Sequence, residues 1–294
     1  MFEPHPSSST LCRAAAPFFA VVLVALVMVW FPETAAAQLA GYAIADDGNG
    51  PSGNDCGGGD QLIRINANGT IAEVGCLGTD TVENVADDPF TATLYAANGS
   101  GRLGVVNITT GVWTQRPSPI GTGTGSAGSQ TFTDIDGLAF EVVSTSPPVA
   151  ILWAIVRREG TPNPSDLLIQ INPTTGAHID NAFGAGIDYL EVTVDAGSLD
   201  IDDITFDRDR TLFGVANTAG GLDRLVRINK TTGVATSITG PDLQGDFTNT
   251  IGGADVTDME GLSFASNGLL YGVTGNNSGV TAQRNRLWLI NKTN

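Results

Sequence analysis

Beyond the first forty residues, short apolar runs alternate with clusters of Asn, Asp, Gly, Ser and Thr. Apolar runs of this length, rich in Val, Ile and Leu and bounded by turn residues, predict β-strands. One phrase recurs. Leu62-Ile63-Arg64-Ile65-Asn66 leads to Asn68-Gly69-Thr70, and Gly104-Val105-Val106-Asn107 to Thr109-Thr110-Gly111. Leu168-Ile169-Gln170-Ile171-Asn172 leads to Thr174-Thr175-Gly176, and Leu225-Val226-Arg227-Ile228-Asn229 to Thr231-Thr232-Gly233. Leu287-Trp288-Leu289-Ile290-Asn291 precedes Lys292-Thr293. Each phrase is a strand followed by a tight turn, in which Asn and Thr bond nearby backbone and Gly accepts positive φ. A second strand follows, as in Val234 to Ile238, so each module holds a hairpin.

Two further strands precede the hairpin. One reads Leu94-Tyr95-Ala96-Ala97, Leu212-Phe213-Gly214-Val215 or Leu270-Tyr271-Gly272-Val273. Ahead of it lies Asp134-Ile135-Asp136-Gly137-Leu138, Asp200-Ile201-Asp202-Asp203-Ile204 or Asp258-Met259-Glu260-Gly261-Leu262, with a weaker copy at Val82-Glu83-Asn84-Val85-Ala86. The repeated Asn positions are separated by 41, 65, 57 and 62 residues, the range of one propeller blade with variable loops. Four strands per repeat, and strands apolar on both faces, predict an all-β fold: a β-propeller of five four-stranded blades. The first module opens at Gly41-Tyr42-Ala43-Ile44, a second strand, and the last stops before its outer strand. This predicts a ring left incomplete at the C-terminus, by truncation or incomplete closure, with six blades if more chain follows.

The N-terminus predicts export. Arg13 precedes an apolar run from Ala14 to Phe31, and Ala35-Ala36-Ala37 supplies the small residues a signal peptidase needs. The expected division is a signal peptide over 1–37 and a propeller over 38–294, secreted to an extracellular or periplasmic space. A membrane anchor is the competing reading of the first segment; no second apolar stretch of spanning length follows. The remaining cysteines, Cys56 and Cys76, form an even pair in an exported chain and predict a disulfide.

Charge narrows the partners. Lys and Arg total 14 against 31 Asp and Glu, a net charge of −17, so nucleic acid and anionic membranes would be repelled. The 37 glycines agree with many tight turns.

The blades resemble those of bacterial secreted propellers with a Leu-Tyr-Gly-Val strand and an Ile-Asn-x-Thr-Thr-Gly turn. The Asp-x-Glu-Gly-Leu phrase at 258–262 resembles the inner strand of phytase-like six-bladed propellers. That resemblance implies calcium held by acidic residues and hydrolysis of phosphate esters.

Candidate chemistry is otherwise sparse. Past the signal the one histidine is His178, expected as an exposed loop residue after a turn, and no G-x-S-x-G occurs, so a Ser-His-Asp triad and a multi-His metal site are excluded. Gly123, Gly125 and Gly128 match a dinucleotide fingerprint literally, but no helix follows and the match is set aside. The loop from Asp46 to Asp55 lacks the closing Glu of an EF-hand and reads as a solvated turn. The remaining candidates are the acids that open successive inner strands: Glu83, Asp134, Asp136, Asp200, Asp202, Asp258 and Glu260. Inner strands line a propeller's axis, so these starts should converge at one mouth. Clustered carboxylates repel one another, and calcium, which takes six to eight oxygens, would relieve that repulsion. Capping of turns by inherited Asp is the alternative. The function expected is a secreted, non-enzymatic binding or structural propeller for an extracellular ligand or protein. A calcium-dependent ester hydrolase and a subunit of an extracellular filament or surface layer are the alternatives. Arg, Lys or Tyr beside the carboxylates would favour the enzyme, and a bare acidic mouth would favour binding.

Overall fold

The computed structural model describes residues 39–45, 56–57, 59–66, 70–160, 164–194, 200–217, 223–238, 256, 258–275, 286–290 and 292. The expected signal segment and the whole acidic loop from Asp46 to Asp55 lie outside these. The described residues contain strands, turns and no helix; no helix is long and apolar enough to cross a membrane.

The strands form five blades of a β-propeller in chain order. Blade 1 holds β1 (Leu39–Ala45), β2 (Gln61–Asn66) and β3 (Ile71–Cys76). Blade 2 holds β4 (Val85–Asp87), β5 (Leu94–Asn98), β6 (Arg102–Val106) and β7 (Trp113–Gln115). A separate hairpin, β8 (Thr122–Gly125) and β9 (Gly128–Thr131), precedes blade 3, so the literal glycine fingerprint is a β-turn and not a nucleotide loop. Blade 3 runs through β10 (Ile135–Thr145), β11 (Pro148–Val156), β12 (Leu167–Ile171) and β13 (Tyr189–Glu191). Blade 4 comprises β15 (Asp200–Phe206), β16 (Leu212–Asn217), β17 (Asp223–Ile228) and β18 (Val234–Ser237), with the short β14 (Thr193–Val194) added parallel to β18. Blade 5 holds β19 (Met259–Phe264), β20 (Leu270–Thr274) and β21 (Leu287–Ile290). Apart from β14, the strands of each blade pair antiparallel in sequence order, the meander of a propeller blade.

The recurring turn does what its residues predict. The side chains of Asn107, Asn172 and Asn229 each accept from the next two Thr backbone N–H groups that follow. The glycine that closes each turn has φ of 80°, 89° and 74°, a conformation costly for any other residue.

Four apolar layers lie between successive blades. Leu62, Leu77, Leu94 and Val106 join blades 1 and 2, while Leu103, Phe132, Leu152 and Ile169 join blades 2 and 3. Trp153, Leu168, Ile204 and Val226 fill the next layer, and Phe213, Leu225, Met259 and Trp288 the last. Cys56 and Cys76 are bonded, with Cα atoms 5.5 Å apart across 20 residues. The bridge ties the segment before β2 to the end of β3.

Apolar layers are not directional, and a second device sets how each blade meets the next. Asp60, just ahead of β2, accepts the backbone N–H of Val82 in blade 2 at 2.6 Å. Asp166, ahead of β12, accepts that of Ile201 in blade 4 at 2.7 Å, and also that of Arg158 at 3.0 Å. Asp223, at the start of β17, accepts that of Met259 in blade 5 at 2.5 Å. All three aspartates are buried. A charge-assisted bond of this kind contributes roughly 1.5–3 kcal/mol, and its loss strands a buried N–H. Asp166→Ala is therefore expected to lower the unfolding free energy by about 2–4 kcal/mol in urea titration, against under about 0.5 kcal/mol for the exposed Asp80→Ala. Equal effects for the two variants would show that the carboxylate does not fasten the blades.

Candidate functional site

The residue that each aspartate grips is the one before an acidic residue of the inner strand. Val82 precedes Glu83, Ile201 precedes Asp202, and Met259 precedes Glu260. In blades 3, 4 and 5 that acidic residue is the extra residue of a β-bulge. Register slips between Ile135 and Gly137, between Ile201 and Asp203, and between Met259 and Gly261. Asp136, Asp202 and Glu260 thus drop out of the ladder pairing, and a bulge re-aims the side chain it carries. In blade 2 the strand begins only at Val85, and Glu83 holds the corresponding place just ahead of it.

Three of the seven predicted residues meet closely. One carboxylate oxygen from each of Glu83, Asp134 and Asp136 lies within 4.8 Å of the others. Asp136 is 1% exposed, and neither of its oxygens has a hydrogen-bond partner. Burial, then the Glu83 carboxyl beside it, pushes Asp136 well above the ordinary carboxylate range. Burial also raises Asp134. Asp200 is drawn to Arg157, whose Nη2 lies 2.9 Å from its Oδ2, while Arg157 Nε stands 3.9 Å from Asp136. Against the cost of burial, Asp136, Asp200, Glu83 and Asp202 together hold Arg157 charged. Asp202 is raised by burial, then by Asp200, Glu260 and Asp223. Glu260 is raised by burial and by Asp258 beside it. The seven therefore divide into a tight trio, Asp200 bonded to Arg157, Asp202 beside it, and the Asp258–Glu260 pair, with charge interactions linking the groups.

Below them sits a residue whose role sequence reasoning missed. Asp203 is buried on the axis, where its Oδ1 accepts from Ile204 N–H and its Oδ2 from Leu262 N–H of blade 5. The Asn84 side chain of blade 2 donates to it as well. At the equivalent place blades 3 and 5 carry Gly137 and Gly261. A Cβ on Gly137 would come within 3.1 Å of the Asp203 backbone and 3.2 Å of its carboxylate. One acid thus joins the inner strands of blades 2 and 5 to its own, beside a glycine of blade 3 that leaves it room. Burial raises Asp203 well above the usual range despite these donors. The signal in the sequence was the doubled acid, Asp202-Asp203, where neighbouring copies read acid-Gly.

The far end of the inner strands is different. A cavity of about 560 Å3 is lined by Phe140, Phe206 and Phe264 at matching positions. Of its lining cations, Arg210 bonds Glu141, as does the nearby Lys230, and Lys292 bonds Asp207, while Arg208 donates to the Ser266 carbonyl.

His178 departs from the expected exposed loop residue. Its side chain is 10% exposed, packed edge-on against Phe132, with Nδ1 2.8 Å from the Ile120 carbonyl. The cause is the β8–β9 hairpin, whose approach covers this turn.

No family model matches the sequence, and no curated protein matches it. Solved structures give distant likenesses. A structural genomics protein of unknown function from Bacteroides thetaiotaomicron VPI-5482 is 14% identical, with a TM-score of 0.44 over 80% of this chain and 55% of that one. A glucose dehydrogenase is 16% identical, with a TM-score of 0.41 over 90% and 80%. The Dos1 propeller is 10% identical, with a TM-score of 0.35 over 79% and 53%. The chain spans about half the length of the first and third. At these values the likenesses say nothing about what this chain binds or does.

The buried carboxyls make stability depend on pH in a definite direction. Burial pushes Asp166 and Asp223 up to about 7, from an ordinary value of 3.8. The folded state then keeps protons that the unfolded chain sheds, so this contribution is full below about pH 4 and is lost as pH rises through about 7. Asp202 and Asp203 act in the same direction. Glu141, Asp188, Glu191 and Asp207 are lowered, and their contribution is lost instead as pH falls below about 4. In metal-free buffer the urea midpoint is expected to be higher at pH 5 than at pH 8. A midpoint that is flat or rises over that interval would contradict the assignment.

Proposed function

We propose that the chain is an exported, non-enzymatic binding propeller whose acidic mouth takes a calcium ion. The observation that carries this reading is the trio of Glu83, Asp134 and Asp136, in which no N–H group bonds buried Asp136 and its close neighbour is the Glu83 carboxyl. An ionised carboxylate in that position is costly unless a positive charge meets it. Arg157 meets part of the need, but its guanidinium lies closest to Asp200 and stands off from Asp136. The donors are all hard carboxylate oxygens, the set that suits calcium. Asp200, Asp202 and Glu260 add negative charge around the trio and leave room for further ligands from water or a partner. Such a mouth would bind a partner by presenting a calcium ion with open positions, or would use the ion to hold blades 2 and 3 together.

The ester hydrolase reading finds little support at the mouth. Phosphate-ester chemistry wants several cations to hold the phosphoryl oxygens; among the described residues the cation bonded to these carboxylates is Arg157, and it is already paired with Asp200. Export is supported by the Cys56–Cys76 bond, since disulfides persist in oxidising compartments. The extracellular partner is left to binding screens on the calcium-loaded protein.

Calcium at about a hundred times its dissociation constant would add roughly 2.7 kcal/mol, a rise of roughly 5–10 °C in Tm for a domain of this size. Asp136→Asn combined with Asp202→Asn is expected to abolish most of that rise while leaving the metal-free Tm equal or higher. An unchanged wild-type Tm in saturating calcium would refute the site.

A further inference from the structure

A second cluster lies away from the channel, where the β8–β9 hairpin meets the outer part of blade 3. One ligand atom from each of His178, Asp180 and Asp188 lies within 4.8 Å of the others. The histidine is the informative member. Its Nδ1 faces the Ile120 carbonyl oxygen at 2.8 Å, and only a protonated nitrogen bonds a carbonyl. That fixes the tautomer and leaves Nε2 with its lone pair outward. Phe132 packs edge-on at 5.1 Å and keeps the ring from turning. Nε2 is buried, has no hydrogen-bond partner, and lies 3.1 Å from Asp180 Oδ1. Two electron-rich atoms at that distance repel unless a cation lies between them. Ligands on a tetrahedral ion with bonds of about 2.0–2.1 Å sit about 3.3 Å apart, close to the separation already present.

Asp188 is equally fixed. Its Oδ2 accepts from Thr124 N–H of β8 at 2.7 Å and its Oδ1 from Asn181 N–H at 2.8 Å. Outer hydrogen bonds that orient an imidazole and a carboxylate in this way are the usual support of metal ligands. Asp180 is 81% exposed and supplies the route of entry.

We propose that His178 Nε2, Asp180 and Asp188 bind a borderline divalent transition ion, with zinc as its representative. The imidazole nitrogen sets this site apart from the all-oxygen mouth, because calcium takes oxygen ligands whereas zinc readily takes nitrogen. Three protein ligands leave one position for water or an exogenous group. All three ligands lie between β12 and β13, so the ion would order that loop, which Asp188 already bonds to β8 through Thr124.

The test is isothermal titration of the full chain with zinc chloride in millimolar calcium, so that the acidic mouth is occupied. One zinc per chain is expected, weakened about tenfold or more by Asp180→Asn and by His178→Gln, and unchanged by Asp136→Asn. Cobalt should bind the same site with a visible d–d absorption that Asp180→Asn removes. Asp180 is exposed, so that variant remains informative if His178→Gln does not fold. Absence of zinc binding to wild type, or binding that survives Asp180→Asn, would overturn the proposal. The latter would leave His178 and Asp180 as an ion pair of a protonated imidazole. Loss through Asp136→Asn would place the zinc at the mouth instead.

Discussion

The molecule depends on buried carboxylates that accept backbone N–H groups across blade boundaries. Hydrophobic layers supply most of the driving force for stacking blades, but they set no register, because apolar contact is not directional. Asp60, Asp166 and Asp223 each seize one N–H of the following blade, always at the residue before the inner-strand acid. The bond therefore fixes two things together: the height of the next blade, and the point at which its inner strand bulges toward the axis. Asp203 extends the same device to the centre, where a single carboxylate reaches blades 2 and 5 from blade 4.

This design makes the channel polar along its length. One end gathers Glu83, Asp134, Asp136, Asp200, Asp202, Asp258 and Glu260, with Arg157 among the first five. The other end carries three phenylalanines and several cations, with Lys230 over Phe206 at 5.2 Å and Lys292 over Phe264 at 5.0 Å. Asp203 lies between the two. Charge that structural needs introduce at each blade junction accumulates at one mouth, and a cation there would relieve repulsion that burial makes worse. A binding role for the mouth would thus be coupled to the structural one through the same inner-strand segments.

Much of the fold was legible because the repeats are local. Alternating strand and turn residues, the Asn-x-Thr-Thr-Gly turn and the order of four phrases per module all state short-range physics, and the blades follow them. The acids of the mouth were legible for the same reason, as copies at one place in each module. Their unequal grouping was not, because it turns on Arg157, which lies at the end of β11 and belongs to no repeat. The latch was visible two positions ahead of the recurring phrase: Asp60, Asp166 and Asp223 stand where blade 2 has Gly101. It was overlooked because a lone acid beside a turn reads as solvated until its burial is known. The His178 surroundings were illegible for a further reason. They are made by the β8–β9 hairpin, an insertion found between blades 2 and 3 whose packing no repeat could foretell.

Whether the acidic mouth holds a cation, and where, can be seen directly. Crystals of the full chain grown in calcium and soaked briefly in a lanthanide would locate it by anomalous scattering. The account predicts a peak among the carboxylates of Glu83, Asp134 and Asp136, with Arg157 still paired to Asp200. A map with no peak at the mouth, or one in which the Arg157 guanidinium occupies the space among those three carboxylates, would contradict it.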